Sequence, residues 1–476
     1  MSRVKLHATL VITITILMIA VLAAVTRSTA VSAASGSKPS SVKDAAVQNA
    51  VQKVEEGEQV FRFDTFGDQA FWGDTLKLHQ AIEGSGLGGV GPGVSPKTAL
   101  AVGLKVDIDA LPKALVNQIE SGAVNLNDPA VTLALLKLNA VVGVTGFFNS
   151  SETLQSVGIQ CALCHSTVDN SQTALCAGQI TPNPGTGCIG HRLDGWPNRD
   201  LNVGGIVALA PNLAPFANLL GTDQATVRKV LNSWGPGKFD AELLLDGKAF
   251  NPEQITDGVM TGKNVSGASL IPPAFGLGGV NLHTWIGWGS VPHWNAFVAN
   301  LAMHGRGRFF DPRLDDVSQF PIAAANGFGD LPHINPDDDL ITPELASLQL
   351  YQLSIPAPNP TVPFNKEAAA RGDELFSGKA GCNNCHAEPL WTEPGWNLHT
   401  PSAVCIDSFQ ADRGPDHRYR TSPIGAISTH FKGGFYHDGR FPDLNAVVEH
   451  YNKCMNLGLT SGEKSDLIQY LLSLKF

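Results

Sequence analysis

Two short stretches of this 476-residue chain carry residue types that together do one kind of chemistry. Cys382-Asn383-Asn384-Cys385-His386 and the earlier Cys161-Ala162-Leu163-Cys164-His165 each place a histidine directly after a C-x-x-C pair. That spacing is the attachment signature of a c-type haem. Each thiol adds across one vinyl group of a porphyrin, and two intervening residues match the separation of the vinyls on one edge. The histidine then falls beneath the ring, where its imidazole binds iron from the proximal side. A single copy can arise by chance or mark a redox pair of thiols. Two copies behind an export signal predict two covalently bound haems, with His165 and His386 as proximal ligands.

The export signal is read from the first residues. Arg3 and Lys5 precede an apolar run from Thr9 to Val25, and Val31-Ser32-Ala33 offers small residues for cleavage. Residues 1–33 are therefore expected to be a signal peptide that delivers the chain to the periplasm. The run approaches the length that spans a bilayer, so an uncleaved anchor is the alternative. Four of the eight cysteines remain after haem attachment: Cys176, Cys188, Cys405 and Cys454. An oxidising compartment favours disulfides. Local pairing, Cys176 with Cys188 and Cys405 with Cys454, is the expectation among three connectivities. A formal net charge of -10 with interspersed signs argues against nucleic acid as a partner.

The elements that must position the two motifs are mostly helical. The expected fold is mainly α, with two cytochrome c-like haem domains, long irregular loops and an N-terminal extension. The 49 glycines and 30 prolines account for the irregular backbone. Residues 34–145 form the extension, with a helix through Val47, Ala50, Val51 and Val54 and an aromatic piece from Phe61 to Trp72 that packs over a core. The glycine cluster from Gly84 to Gly93 lacks the Gly-Lys-Ser/Thr ending of a phosphate loop and reads as a plain loop. Asp128-Pro129 opens a further helix with a cap and a proline at the first turn. Residues 146–313 form the first haem domain, 314–363 a linker with one helix, and 364–476 the second haem domain. In the last, a helix over 367–376 carries Gly372 inward. A closing helix, opened by a capping box from Thr460 to Glu463, should cross it there.

The C-terminal hundred residues resemble the bacterial dihaem cytochrome c peroxidase and MauG family. The matching pieces run in order: Arg371-Gly372 with Leu375-Phe376, Cys382 to His386, Tyr419 to Ile424, Phe435 to Gly439, Leu444 with Val447-Val448, and His450-Tyr451-Asn452. The first haem domain matches more thinly, through Ile189-Gly190-His191, Asn198 and Asp200, and through Trp285 to Gly289. Residues 34–145 match nothing in the family.

The resemblance implies roles for particular residues. His191 falls where the family's bis-histidine members place the distal ligand of the first haem. Tyr451 falls in the distal slot of the second haem and resembles the tyrosinate ligation of MauG, with His450, Met455, His417 and His430 as rivals. Trp285 or Trp288 falls where an indole relays electrons between haems. His437, in the His-Asp-Gly turn, is expected to support the pocket rather than bind iron. The family's peroxidases carry a proton-moving glutamate after the tryptophan segment, yet no Glu occurs from Gly289 to Pro343. His293 is the substitute nearest in sequence.

The expected function is that of a periplasmic dihaem oxidoreductase reducing hydrogen peroxide with electrons from a small cytochrome or cupredoxin. Two alternatives stand beside it. One is an electron-transfer cytochrome with both irons closed and no substrate. The other is a MauG-like or rubber-oxygenase-like haem oxidase using oxygen or peroxide. The family also implies a homodimer.

Overall fold

Helix α1 (Ala45–Phe63) opens the computed structural model, which describes residues 44–172, 185, 187–256, 259–262, 264–332 and 334–475. The expected signal peptide lies outside the described residues, as does Cys176 of the first expected disulfide. The chain divides into two units at Val51. The described part of the first is the opening turns of α1, where Val47 and Val51 are exposed rather than inward as the periodicity suggests. Everything from Gln52 onward forms the second unit.

Within that second unit α1 turns inward. Gly57, Val60 and Phe61 are buried. An aromatic stretch follows, and Ala70–Thr75 is a wide turn that buries Trp72. Helix α2 (Pro129–Lys137) begins where the Asp-Pro pair predicts, with the Asp128 side chain accepting from the Ala130 amide at 2.9 Å. An antiparallel hairpin follows, β1 (Val144–Phe148) against β2 (Leu154–Ile159). It delivers the chain directly into the first C-x-x-C-H motif, whose residues Ala162–His165 form one helical turn, α3. The strand end is pinned by Asp68, whose carboxyl accepts from the Ile159 amide at 3.2 Å.

Sheet contributes little. The described residues contain six sheets of two strands each, so the core rests on helices and loops. Helix α4 (Gln224–Asn232) and the short α5 (Leu243–Asp246) precede α6 (Val291–Phe297). The last runs on into a second wide turn, Val298–Ala302. Trp72 Nε1 donates to the Met303 carbonyl at 2.9 Å, which ties the two wide turns together.

In the segment expected to connect the haem domains, α7 (Leu345–Ser354) packs against α1. A Cβ on Gly57 would stand 2.0 Å from the Ser347 carbonyl oxygen, so the crossing requires glycine there. Tyr351 donates to Asp194 at 2.5 Å, and Arg62 pairs with the same carboxylate.

The C-terminal stretch holds α8 (Lys366–Ser377), α9 (Leu444–Cys454) and α10 (Ser461–Ser473). Helices α8 and α10 cross through Gly372, where a Cβ would lie 2.2 Å from the Asp466 carbonyl oxygen. The capping box forms in both directions, Thr460 to the Glu463 amide and Glu463 back to the Thr460 amide. Cys405 and Cys454 are bonded, fastening the end of α9 to the loop after the second motif.

Candidate functional site

Both C-x-x-C-H motifs open onto one cavity of about 1370 Å³. Cys161, Cys164 and His165 lie on its wall, and so do Cys382, Cys385 and His386. All four cysteines are free thiols. The two histidines are held alike. His165 Nδ1 lies 3.2 Å from the Pro272 carbonyl oxygen, and His386 Nδ1 lies 3.1 Å from that of Trp391. A carbonyl can only accept, so each Nδ1 carries the proton and each Nε2 keeps its lone pair. Burial favours the neutral imidazole further, pushing His165 down to about 4 and lowering His386. These are the tautomer and charge state that an iron ligand needs.

Two buried arginines test the fit of a haem. All three guanidinium nitrogens of Arg199 lack a partner. Its neighbour Asp200 is taken by Lys105 and Lys432. Arg420, on the cavity wall, gives Nη1 to the Leu282 carbonyl and leaves Nε without a partner. Burial pulls Arg199 down to about 9 and Arg420 to about 10. An enclosed, unpaired cation calls for an anion. Haem carries two propionates, so thiols, lone-pair imidazoles and orphaned guanidiniums together match its chemistry. The residues that would hold it are Cys161, Cys164 and His165 at one motif, and Cys382, Cys385 and His386 at the other.

The residues expected around the first motif separate. His191 is exposed at the surface, with Nδ1 2.9 Å from Asp109, and does not line the cavity. Parallel pairing of Val106-Asp107 with Ile189-Gly190 carries the following side chain outward to Asp109. His304 is among the histidines that line the cavity. It follows the wide turn that packs against Cys161 and Ala162, and its backbone is left-handed, with φ of 63°. Its Nε2 is buried without a partner. The sequence signal was faint, a Met-His-Gly step inside an apolar run.

Trp285 lines the cavity and anchors its indole N–H on the Leu270 carbonyl at 2.9 Å. Trp288 does not reach the cavity. Its N–H bonds Asp311 at 2.9 Å, and its ring stacks on Phe320. His293 joins the same carboxylate through Nε2 at 3.0 Å, as does Arg313 at 2.7 Å. Asp311 thus takes the Trp288 N–H and one nitrogen of His293, whose Nδ1 is buried without a partner. His437 is also supportive, buried and stacked on Tyr419.

Around the second motif Tyr451 lies in the cavity wall close to Cys382 and Cys385. Burial raises its phenol above the usual range. Tyr436 stands beside it, ring centroids 6.2 Å apart, near enough for electrostatic interaction but outside hydrogen-bond geometry. His450 faces away, with Nε2 on the Val404 carbonyl at 2.8 Å. His417 is exposed and pairs with Asp412. Met455 and His430 reach the wall, the latter keeping its Nε2 without a partner beside Arg199. Residues 34–145, unmatched in the family, contribute Phe71 and Trp72 to the wall near the first motif.

No protein-family model matches the chain. The chain is 26% identical over 233 residues to cytochrome-c peroxidase IdrP1 of Denitromonas iodatirespirans, covering 38% of this chain and 60% of that protein. It is 24% identical over 221 residues to methylamine utilization protein MauG of Methylorubrum extorquens, covering 40% and 62%. The chain thus spans about three-fifths of the length of these relatives. They are distant relatives, and both names belong to the family that the motifs resemble. A solved MauG-like protein associated with microbial copper homeostasis overlays with a TM-score of 0.30 at 17% identity, covering 45% of this chain and 77% of that one. Among the described residues no helix is long and apolar enough to cross a membrane.

Proposed function

We propose that the chain is an exported, periplasmic dihaem oxidoreductase that reduces hydrogen peroxide with electrons from a small cytochrome or cupredoxin. The observation that carries this reading is the single cavity shared by both attachment motifs, with Trp285 on its wall. Bound haem supplies reversible one-electron chemistry at iron. The chain's own residues do the rest. His165 and His386 would hold iron through Nε2, and Arg420 on the cavity wall and Arg199 in an adjoining small pocket would pair with propionates. Tyr451 would lie beside the group held at the second motif. Near the first motif His304 offers an imidazole nitrogen to an oxygen of peroxide. Trp285 offers an oxidisable indole between donor and acceptor sites. Two electrons and two protons then convert each peroxide to two waters.

A second reading has a specific observation in its favour. The cavity continues past Phe328, Leu331, Pro332 and Ile334, an apolar stretch suited to an organic substrate rather than to peroxide alone. An oxidase of the kind the MauG relative represents would use it.

Stopped-flow absorption after peroxide is added to oxidised and half-reduced protein tests the reading. A fast spectral change reversed by donor supports peroxide reduction. No change in either redox state would sink it and leave an electron carrier with both irons closed.

A further inference from the structure

Three carboxyl groups share one guanidinium beside the cavity. Arg413 is fully enclosed and pairs with Asp240 at 2.7 Å and with Asp246 at 2.8 Å, both side chains being likewise shut off from solvent. Its remaining donor goes to the Gly267 carbonyl at 3.0 Å. Glu242, at the start of α5, is the third carboxyl, and it makes no hydrogen bond to Arg413. Its partner is neutral: Gln410 Nε2 donates to Glu242 Oε1 at 3.1 Å. Asp240 Oδ2 and Gln410 Oε1 are buried without partners.

Charge balance decides what this cluster must do. With every carboxyl ionised, an enclosed region would hold a net negative charge that one arginine does not cancel, so it retains a proton. Asp246 is gripped through both oxygens and Asp240 through one. Glu242 has the least support as an anion. Of the three, Glu242 and Asp240 reach the cavity wall, and Asp246 does not. Burial pushes Glu242 up to about 7 against the pull of Arg413, with Asp240 and Asp246 adding to the rise. Those three are the charged groups that act on it. Gln410 suits either state. As oriented it donates to a carboxylate, and turned over its oxygen would accept from a protonated acid.

We infer that Glu242 is the proton-carrying carboxyl of the cavity. It exchanges its proton with oxygen species and water inside. In peroxide reduction, which rests on the function proposed above, the Glu242 O–H bond breaks as an O–H bond of product water forms. The electrons for O–O cleavage come from the donor protein. The second proton, and the one that restores the carboxyl, come from bulk solvent relayed through cavity water.

The test is infrared difference spectroscopy on the haem-loaded protein, in light and heavy water, between about pH 5 and 9. A protonated-carboxyl band that shifts on deuteration, fades as pH rises through neutrality and vanishes in Glu242→Gln is expected. Asp240→Asn, which removes one negative neighbour, should move that fading to lower pH while keeping the band. Peroxide turnover should fall by roughly 10²–10⁴-fold in Glu242→Gln. In the parent it should decline above neutral pH, where the proton is lost. A band that survives in Glu242→Gln, or an unmoved midpoint in Asp240→Asn, overturns the inference. A titrating Glu242 band in a parent protein that never turns over peroxide supports the carboxyl assignment and rejects the peroxide reading instead.

Discussion

The imidazole of His304 lies flat on the ring of Phe71, their centroids 3.6 Å apart and their planes inclined by 20°. Phe71 lies in the wide turn Ala70–Thr75, and His304 follows the second wide turn, which shares a core cluster with Cys161. The stack fixes the ring, and the left-handed backbone at His304 fixes its direction. His304→Ala should therefore alter the ferric spectrum of one haem only, the one at His165. Peroxide-dependent oxidation should drop by about 10²–10⁴-fold if the imidazole moves a proton there. On the dihaem reading magnetic circular dichroism would resolve the two sites, and an unchanged spectrum refutes the placement.

The two tryptophans of the Trp285–Trp288 segment should part company when tested. Trp285→Phe should slow electron exchange between the haems and leave stability nearly unaltered. Trp288→Phe removes one donor from Asp311, which Arg313 and His293 still hold, and should cost about 0.5–1.5 kcal/mol of stability with electron exchange preserved. Flash photolysis of the half-reduced protein and a urea titration read the two effects separately.

Arg199 gives a prediction whose sign is diagnostic. If a propionate meets its guanidinium, Arg199→Met leaves that anion uncompensated and destabilises the haem-loaded protein by roughly 3–5 kcal/mol. If no anion is there, removing an enclosed cation raises the melting temperature. Differential scanning calorimetry decides between them.

Asp68 makes stability depend on pH. Burial pushes its carboxyl from the ordinary 3.8 up to about 9. A carboxyl raised in the folded state favours folding where both states hold the proton, below about pH 4. That contribution is lost progressively as pH rises toward 9, by up to about 1.4 kcal/mol per pH unit. Asp68→Asn keeps an acceptor for the Ile159 amide and should gain on the parent as pH rises. Equal denaturation midpoints for both proteins across the neutral range would contradict this.

What was legible in the sequence was local. The Asp128 cap, the Thr460–Glu463 box and the Gly372 crossing each depend on a few neighbouring residues or one close approach, and each is in the fold. The Cys405–Cys454 bridge follows from proximity within one stretch. The surroundings of His191 were not legible, because likeness to an Ile-Gly-His setting says nothing about which way a two-residue strand aims the next side chain. Nor were those of Trp288 and His293, because Asp311, distant in sequence, bonds to both. Arg199 and Glu242 were invisible for the complementary reason. Their character comes from partners they lack, or must share, once distant segments close around them.

The state of the thiols bears on how such a protein is made. Burial pushes Cys161 and Cys164 up to about 12 and Cys382 to about 11. The thiolate is the form that reacts, and in the closed fold these thiols scarcely ionise. On the proposed reading, thioether formation would therefore belong to the open chain, before the hairpin and the wide turns close around the first motif. Biogenesis would then have an order, porphyrin ligation first and tertiary closure afterwards, so a chain that folds too early would forfeit its haem.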